Sequence, residues 1–372
     1  MKRGVSNRLA ALRAAKGTAE KKQAKRTKTL VCAPEGWREE ASGVYVRQTS
    51  YPAPTKVDRN ILSLLIPGAQ DFSLAYWDTE TTGLSAGAGT VVFLTGIGKQ
   101  KEDSFIVTQF LLGDYPFEPE YLEIIKKYLV EDKVWVSYNG KAFDANLMKT
   151  RFLLNRKQFA LPNQWDLLYL ARRLWRNTLP DCTMKTVEEQ ILKTPRTDDL
   201  SGAYAPELYF EYLKKRDPGI LEPVFRHNCL DVYSLYNLAV HYQSMLRSPE
   251  SISPRERRQM GLALAVRSKD RAEDLLHSAY QGGDEKAGEI LALWYKRTGK
   301  VHEALCIWKR ISESRKSIGV YLELAKYYEH RKQDFTAALQ IVSKLLSFPF
   351  LTERVQREVE HRKKRLERKL DR

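Results

Sequence analysis

Between residues 61 and 245 the apolar positions switch repeatedly between two periods, and this switching predicts one compact α/β unit. Leu74-Ala75-Tyr76-Trp77 is an unbroken apolar run that stops at Asp78, as a short buried strand ending on polar residues does. Thr90 to Gly98 and Ser104 to Leu112 are rich in β-branched and apolar residues. The polar turn Lys99 to Asp103 separates them, which predicts a hairpin with a longer loop. Glu118 to Val130 has helical spacing, and Val134 to Tyr138 is a further strand halted at Asn139-Gly140. Phe143 to Leu154, Leu167 to Arg176, Leu208 to Lys215 and Pro223 to Tyr242 return to the helical period, with a polar loop from Pro195 to Pro206. Strands first, then helix and strand in alternation, predict a mixed sheet flanked by helices and not an all-parallel one.

The flanks differ. Residues 1–30 carry no sustained apolar period and read as a flexible basic arm. Residues 31–60, punctuated by Pro34, Gly36, Pro52 and Pro54, read as an irregular lead-in. Residues 246–258 are rich in Ser, Pro and charge and read as a linker. Beyond them lies a helical repeat. Ala292-Leu293-Trp294-Tyr295 returns 33 residues on as Ala325-Lys326-Tyr327-Tyr328, and Ala304-Leu305 returns 34 residues on as Ala338-Leu339. That is the tetratricopeptide period, which assigns 259–351 to TPR-like paired helices and leaves 352–372 as a charged helical tail.

Composition narrows the function classes. With 372 residues, 43% of them hydrophobic, the chain has material for a sizeable core, which excludes a wholly disordered or fibrous protein. Its formal charge is +16, and residues 1–30 together with 353–372 supply 13 of those charges. The surplus favours a polyanionic partner, but a binding site in the nearly neutral body has to be argued residue by residue. Cys32, Cys182, Cys229 and Cys306 form no C-x-x-C pair, which sets aside a disulfide framework or a Cys-based zinc site and makes a reducing compartment the default. No run approaches the ~18 apolar residues of a membrane span, and the basic start of the chain lacks a secretory apolar region. The expectation is a soluble cytoplasmic protein with no membrane partner.

Three separated segments carry the chemistry. In Asp78-Thr79-Glu80-Thr81-Thr82-Gly83, two carboxylates stand two residues apart on one strand and so face the same way. Close carboxylates at a semi-buried strand end repel each other, and a hard divalent cation, magnesium or manganese, relieves them. Asp144 opens a helix after Asn139-Gly140-Lys141-Ala142-Phe143, where an anion is favoured. His227 and Asp231 lie four apart on a helix and share a face. Each segment alone also fits a structural role: a strand end, a helix cap, a surface pair. Their joint occurrence in this order is what points to a site.

That set resembles the DEDD superfamily of 3′→5′ exonucleases, which have a ribonuclease H-like fold. Residues 61–245 followed by the repeats look like the bacterial YprB family of RNase H-like proteins. The resemblance implies an RNase H-like domain over 61–245, with Asp78, Glu80, Asp144 and Asp231 holding two divalent metal ions, Mg²⁺ or Mn²⁺, and His227 as the general base. Here a His occupies the four-residue spacing before the last Asp that the Tyr branch of the superfamily uses. Thr81, Thr82, Gly83 and Leu84 match the stretch that meets the substrate's 3′ end, with Leu84 wedged against the terminal base.

Two metals roughly 4 Å apart serve phosphodiester hydrolysis by generating the nucleophile and stabilising both the attacking and leaving oxygens. An imidazole, ordinarily titrating near ~6.5, accepts a proton at neutral pH. Asn139 and Lys141 are candidates for phosphate contact, and Asp166 reads as a helix cap. Arg172, Arg173, Trp175 and Arg176 interleave cations with an aromatic, a pattern shared by single-strand binders and by ordinary amphipathic helices. The leading expectation is a metal-dependent 3′→5′ exonuclease on single-stranded ends, DNA favoured over RNA, acting in repair in association with the nucleoid. The repeats would recruit a protein such as a helicase. The alternatives are a non-catalytic nucleic-acid scaffold and an RNase H-type endonuclease on RNA–DNA hybrids.

Overall fold

A computed structural model describes residues 33–66, 73–83, 87–130, 134–197 and 200–371. The basic arm and Leu84 lie outside the described residues. Seven strands form one mixed sheet: β1 (Arg38–Ala41), β2 (Val44–Pro52), β3 (Leu74–Thr81), β4 (Val92–Lys101), β5 (Ser104–Leu112), β6 (Val134–Ser137) and β7 (Asn163–Asp166). Their spatial order is β1-β2-β5-β4-β3-β6-β7. Pairing is antiparallel from β1 across to β3 and parallel from β3 through β6 to β7.

Around the sheet run α1 (Arg59–Leu62), α2 (Glu118–Val130), α3 (Asp144–Leu154), α4 (Leu167–Trp175), α5 (Met184–Val187), α6 (Ala205–Lys215) and α7 (Glu222–Arg247). Seven more helices follow: α8 (Pro254–Leu264), α9 (Lys269–Gln281), α10 (Glu285–Arg297), α11 (Val301–Ser314), α12 (Ile318–Tyr327), α13 (Phe335–Leu346) and α14 (Glu353–Leu370). Consecutive members of this series pack on one another.

Four of these strands, β1, β2, β3 and β7, depart from what the sequence pattern predicts. Strand β3 does not stop at Trp77; it runs to Thr81, because β4 continues to pair with it, Asp78 opposite Gly96 and Thr81 opposite Val92. The acidic pair is therefore built into a central strand. Residues 38–52, read as irregular, form the β1–β2 hairpin, and β2 pairs with β5 over its whole length. The inward positions of β2 supply the missed signal: Val44, Tyr45 and Val46 are buried, then exposure alternates. The 246–258 segment is no separate linker: it takes in the end of α7, a short turn at Pro249–Ser251 and the first turn of α8, whose start is fixed by a reciprocal capping box between Ser253 and Glu256.

The core does not end where the sheet ends. Leu170, Leu174, Trp175, Tyr242 and Met245 share one apolar cluster with Met260, Leu264, Ala272 and Leu275 from α8 and α9. Trp175 donates its indole N–H to Glu256 at 2.8 Å, which fixes α4 against α8. Among the described residues no helix is long and apolar enough to cross a membrane.

Candidate active site

β3 is the central element of the site. Its residues 74–77 are apolar because helices cover both faces of the sheet there, and residues 78–81 are polar yet still enclosed. Glu80 is 7% exposed and Asp78 half-buried, two positions apart on one face as the strand period requires. Helix α7 crosses this face closely enough that only glycine fits below it. A methyl group at Gly96 would stand 2.3 Å from the Asn228 carboxamide oxygen.

Asn228 is the link between α7 and the first carboxylate. Its Nδ2 donates to Asp78 Oδ2 at 3.0 Å and to the Asp78 carbonyl at 3.3 Å. Its Oδ1 accepts from Gln109 Nε2, which also donates to the Phe225 carbonyl, while Arg47 donates to Gln109 Oε1. Gln109 and Asn228 are both fully buried, so each needs these partners. Asn228 stands between His227 and Asp231, and no local spacing marks it beside them.

Asp144 opens α3 as expected and accepts a short hydrogen bond from the Thr79 hydroxyl. The loop before it is held by Asp166. One Asp166 oxygen accepts from the Asn139 amide at 2.8 Å and from Leu168 at 3.1 Å, and the other accepts from Lys141 at 3.2 Å. Asp166 is thus the α4 cap that was expected, and it also fixes the Asn139–Lys141 turn, where Asn139 has a left-handed φ of 63°. His227 and Asp231 share a face of α7, with Nε2 3.5 Å from Oδ2. The loop bearing Gly202 lies against this imidazole: a methyl group there would stand 3.1 Å from Nε2.

The carboxylates of β3, α3 and α7 act on one another. Burial pushes the Asp78 carboxyl well above its usual range, and the charges of Asp231 and Asp144 push it further, against the opposing pull of Asn228 and Arg196. Burial also lifts Asp144 to about 6, opposed by the Thr79 bond and reinforced by Asp166 and Asp231. Arg196, from the polar loop, bridges the other Asp231 oxygen to Glu188. Burial pushes the Glu188 carboxyl up, and its bond from Arg196 opposes this. No sequence spacing marks Arg196 or Glu188; only the fold brings them to Asp231.

The donor set consists of hard carboxylate oxygens, with the charge of Asp231 raising the proton affinity of both Asp78 and Asp144, which is the chemistry a divalent cation satisfies. Among the described residues no three His, Cys, Asp or Glu groups are gathered tightly enough to hold one ion as they stand. Asp231 spends one oxygen on the Arg196 guanidinium instead.

The fold and these residues define a ribonuclease H-like domain. Residues 75–243 match a family model described as RNase_H superfamily. The chain is 36% identical over 301 residues to the uncharacterized protein YprB of Bacillus subtilis (strain 168), covering 77% of this chain and 72% of that one. It belongs to the RNase H-like family that includes YprB. Among solved structures it is similar to the family B DNA polymerase of the hyperthermophilic archaeon Pyrobaculum calidifontis, with 14% identity, a TM-score of 0.37, and coverage of 61% of this chain and 34% of that one. An ExoI/SSB-Ct complex gives 17% identity, a TM-score of 0.28, and coverage of 42% and 44%. The chain thus spans less than half of either solved protein.

Proposed function

We propose that this protein is a metal-dependent 3′→5′ exonuclease that hydrolyses phosphodiester bonds at single-stranded ends, DNA before RNA. The observation that carries the reading is the convergence of Asp78, Asp144 and Asp231 from β3, α3 and α7, where the charges of Asp231 and Asp144 raise the proton affinity of Asp78 and the charge of Asp231 raises that of Asp144. Asp78, Glu80, Asp144 and Asp231 would hold two divalent ions, Mg²⁺ or Mn²⁺, with Asp231 turning from Arg196 to do so. Bound there, the ions would supply an activated water and neutralise charge on the phosphate.

The chain's own groups do the rest. Asn228 fixes the Asp78 rotamer through its 3.0 Å bond. His227 takes the proton of the attacking water, and Asp231 holds the imidazole from below at 3.5 Å. Thr81, Thr82, Gly83 and Leu84 meet the 3′ end. Asn139 and Lys141, set by Asp166, reach the phosphates. The TPR-like helices recruit a partner that exposes single strands, such as a helicase, and the activity serves DNA repair.

The test is digestion of 3′-labelled and 5′-labelled single strands of both sugar types with Mn²⁺, with EDTA, and with Asp78→Asn. The expected result is loss of nucleotides from the 3′ end that both EDTA and Asp78→Asn abolish, by at least a thousandfold. Cleavage of a circular single strand at the rate of a linear one points to an endonuclease, and equal background from both chains points to a scaffold.

A further inference from the structure

Helix α4 presents one face outward that its neighbours do not cover. Tyr169, Arg172, Arg173 and Arg176 follow the i, i+3, i+4, i+7 spacing and are all exposed, while Leu167, Leu168, Leu170, Ala171, Leu174 and Trp175 are buried. This stripe is about 10 Å long and forms one wall of a cleft of about 580 Å³. Gln259 and Ala263 of α8 also line it, as do Arg267, just beyond that helix, and Lys141.

A solvated helix face is usually laced with opposite charges, as Glu211 with Lys215 and Glu353 with Arg357 are here. The α4 stripe has no acid in it. Among the described residues none of Lys141, Arg172, Arg173, Arg176 and Arg267 is ion-paired to a carboxylate. Favourable contact with the helix dipole accounts for cations in the last turn of α4. It does not account for Lys141 and Arg267, which converge from two other elements. The acid in the cleft, Asp166, has both oxygens turned to backbone amides. Tyr169, 58% exposed, offers an aromatic face among the cations.

We infer that this cleft binds an unpaired nucleic-acid strand: the arginines and Lys141 hold successive phosphates, and a base stacks on Tyr169. Stacking on an aromatic flanked by cations suits a single strand, whose bases are free, and not a duplex, whose bases are stacked on each other. Lys141 belongs to the turn that Asp166 holds and that leads into Asp144 at the start of α3, so the bound strand continues toward the carboxylates. That direction rests on the nuclease reading, whereas the binding itself does not.

The experiment compares the full chain with Arg173→Ser/Arg176→Ser and with Tyr169→Ala, all at exposed positions. Fluorescence anisotropy is read in EDTA with 5′-labelled oligo(dT), oligo(rU) and a duplex, over a range of salt. The double variant is expected to bind single strands at least tenfold more weakly, with a log–log salt slope shallower by about 1.4, or ~0.7 per lost phosphate contact. Tyr169→Ala is expected to lose at least fivefold in affinity at unchanged slope. Hydrolysis of the p-nitrophenyl ester of thymidine 5′-monophosphate, too small to reach the cleft, stays unchanged in both variants, while KM for oligonucleotides rises. Unaltered affinity and slope in the double variant overturn the inference, as does an equal loss for duplex and single strand. If the parent chain hydrolyses neither ester nor oligonucleotide, the nuclease reading falls while the binding comparison still decides the cleft.

Discussion

At the scale of single residues, the site holds its carboxylates at a cost to stability. Asp144 takes up its proton near pH 6 in the folded chain, against an ordinary value of 3.8, so the native state binds more protons than the unfolded one between those limits. Stability contributed by this group therefore falls as pH rises from about 4 through 6. Asp144→Asn in EDTA is expected to raise unfolding free energy at pH 7.5 by roughly 1–3 kcal/mol and to change nothing at pH 3.5. Urea melts at the two pH values check this, and an equal shift at both would refute it. Asp78, Glu80, Asp144, His227 and Asp231 could be proposed from the sequence because each belongs to a short, local pattern. Asn228, Arg196 and Glu188 could not, since nothing local distinguishes them. Asn228 matters because α7 crosses β3 at that point, and Arg196 because its loop returns to a residue 35 positions away.

At the scale of elements, the β3–β4 ladder and α7 form one unit, and Gly96 is where they touch. Gly96→Ala drives a methyl group into Asn228, in a fully buried setting with little room to relax. The expected cost is about 1–3 kcal/mol of stability, together with a lowered kcat as Asp78 loses its bond. Thermal unfolding and turnover measured on the same preparation test both, and wild-type turnover in a folded variant would detach Asn228 from the chemistry. The strands β3 to β6 and most helices could be read from periodicity. The β1–β2 hairpin could not, because Pro34, Gly36 and Pro52 broke the pattern at both ends. Its strand character comes from pairing with β5, a long-range contact that outweighs local propensity.

At the scale of the whole molecule, charge and core extend beyond the RNase H-like domain. Glu329 gathers Arg362, Arg365 and Lys369 from α14. Burial pushes its carboxyl up, but the bonds from Arg365 and Lys369 outweigh this and hold it at about 2. A depressed carboxyl stabilises above its unfolded value of 4.5, and that stability drains as pH falls from 4.5 toward 2. Hydrogen exchange should show α14 loosening first over that range, by roughly 2 kcal/mol, and Glu329→Gln should flatten the trend while leaving the sheet protected. Uniform exchange across the chain would count against a local clamp.

Because Leu170, Leu174 and Trp175 are roofed by Met260, Leu264 and Leu275, a chain ended at residue 245 should be poorly soluble, and sedimentation of that fragment beside the full chain tests it. The same roofing has a consequence during synthesis. When the ribosome has released every strand and α7, one side of α4 still lacks its cover. Maturation must therefore wait some thirty codons for α8 and α9, an interval in which a chaperone has an apolar target and a stalled message leaves a sticky, unfinished product.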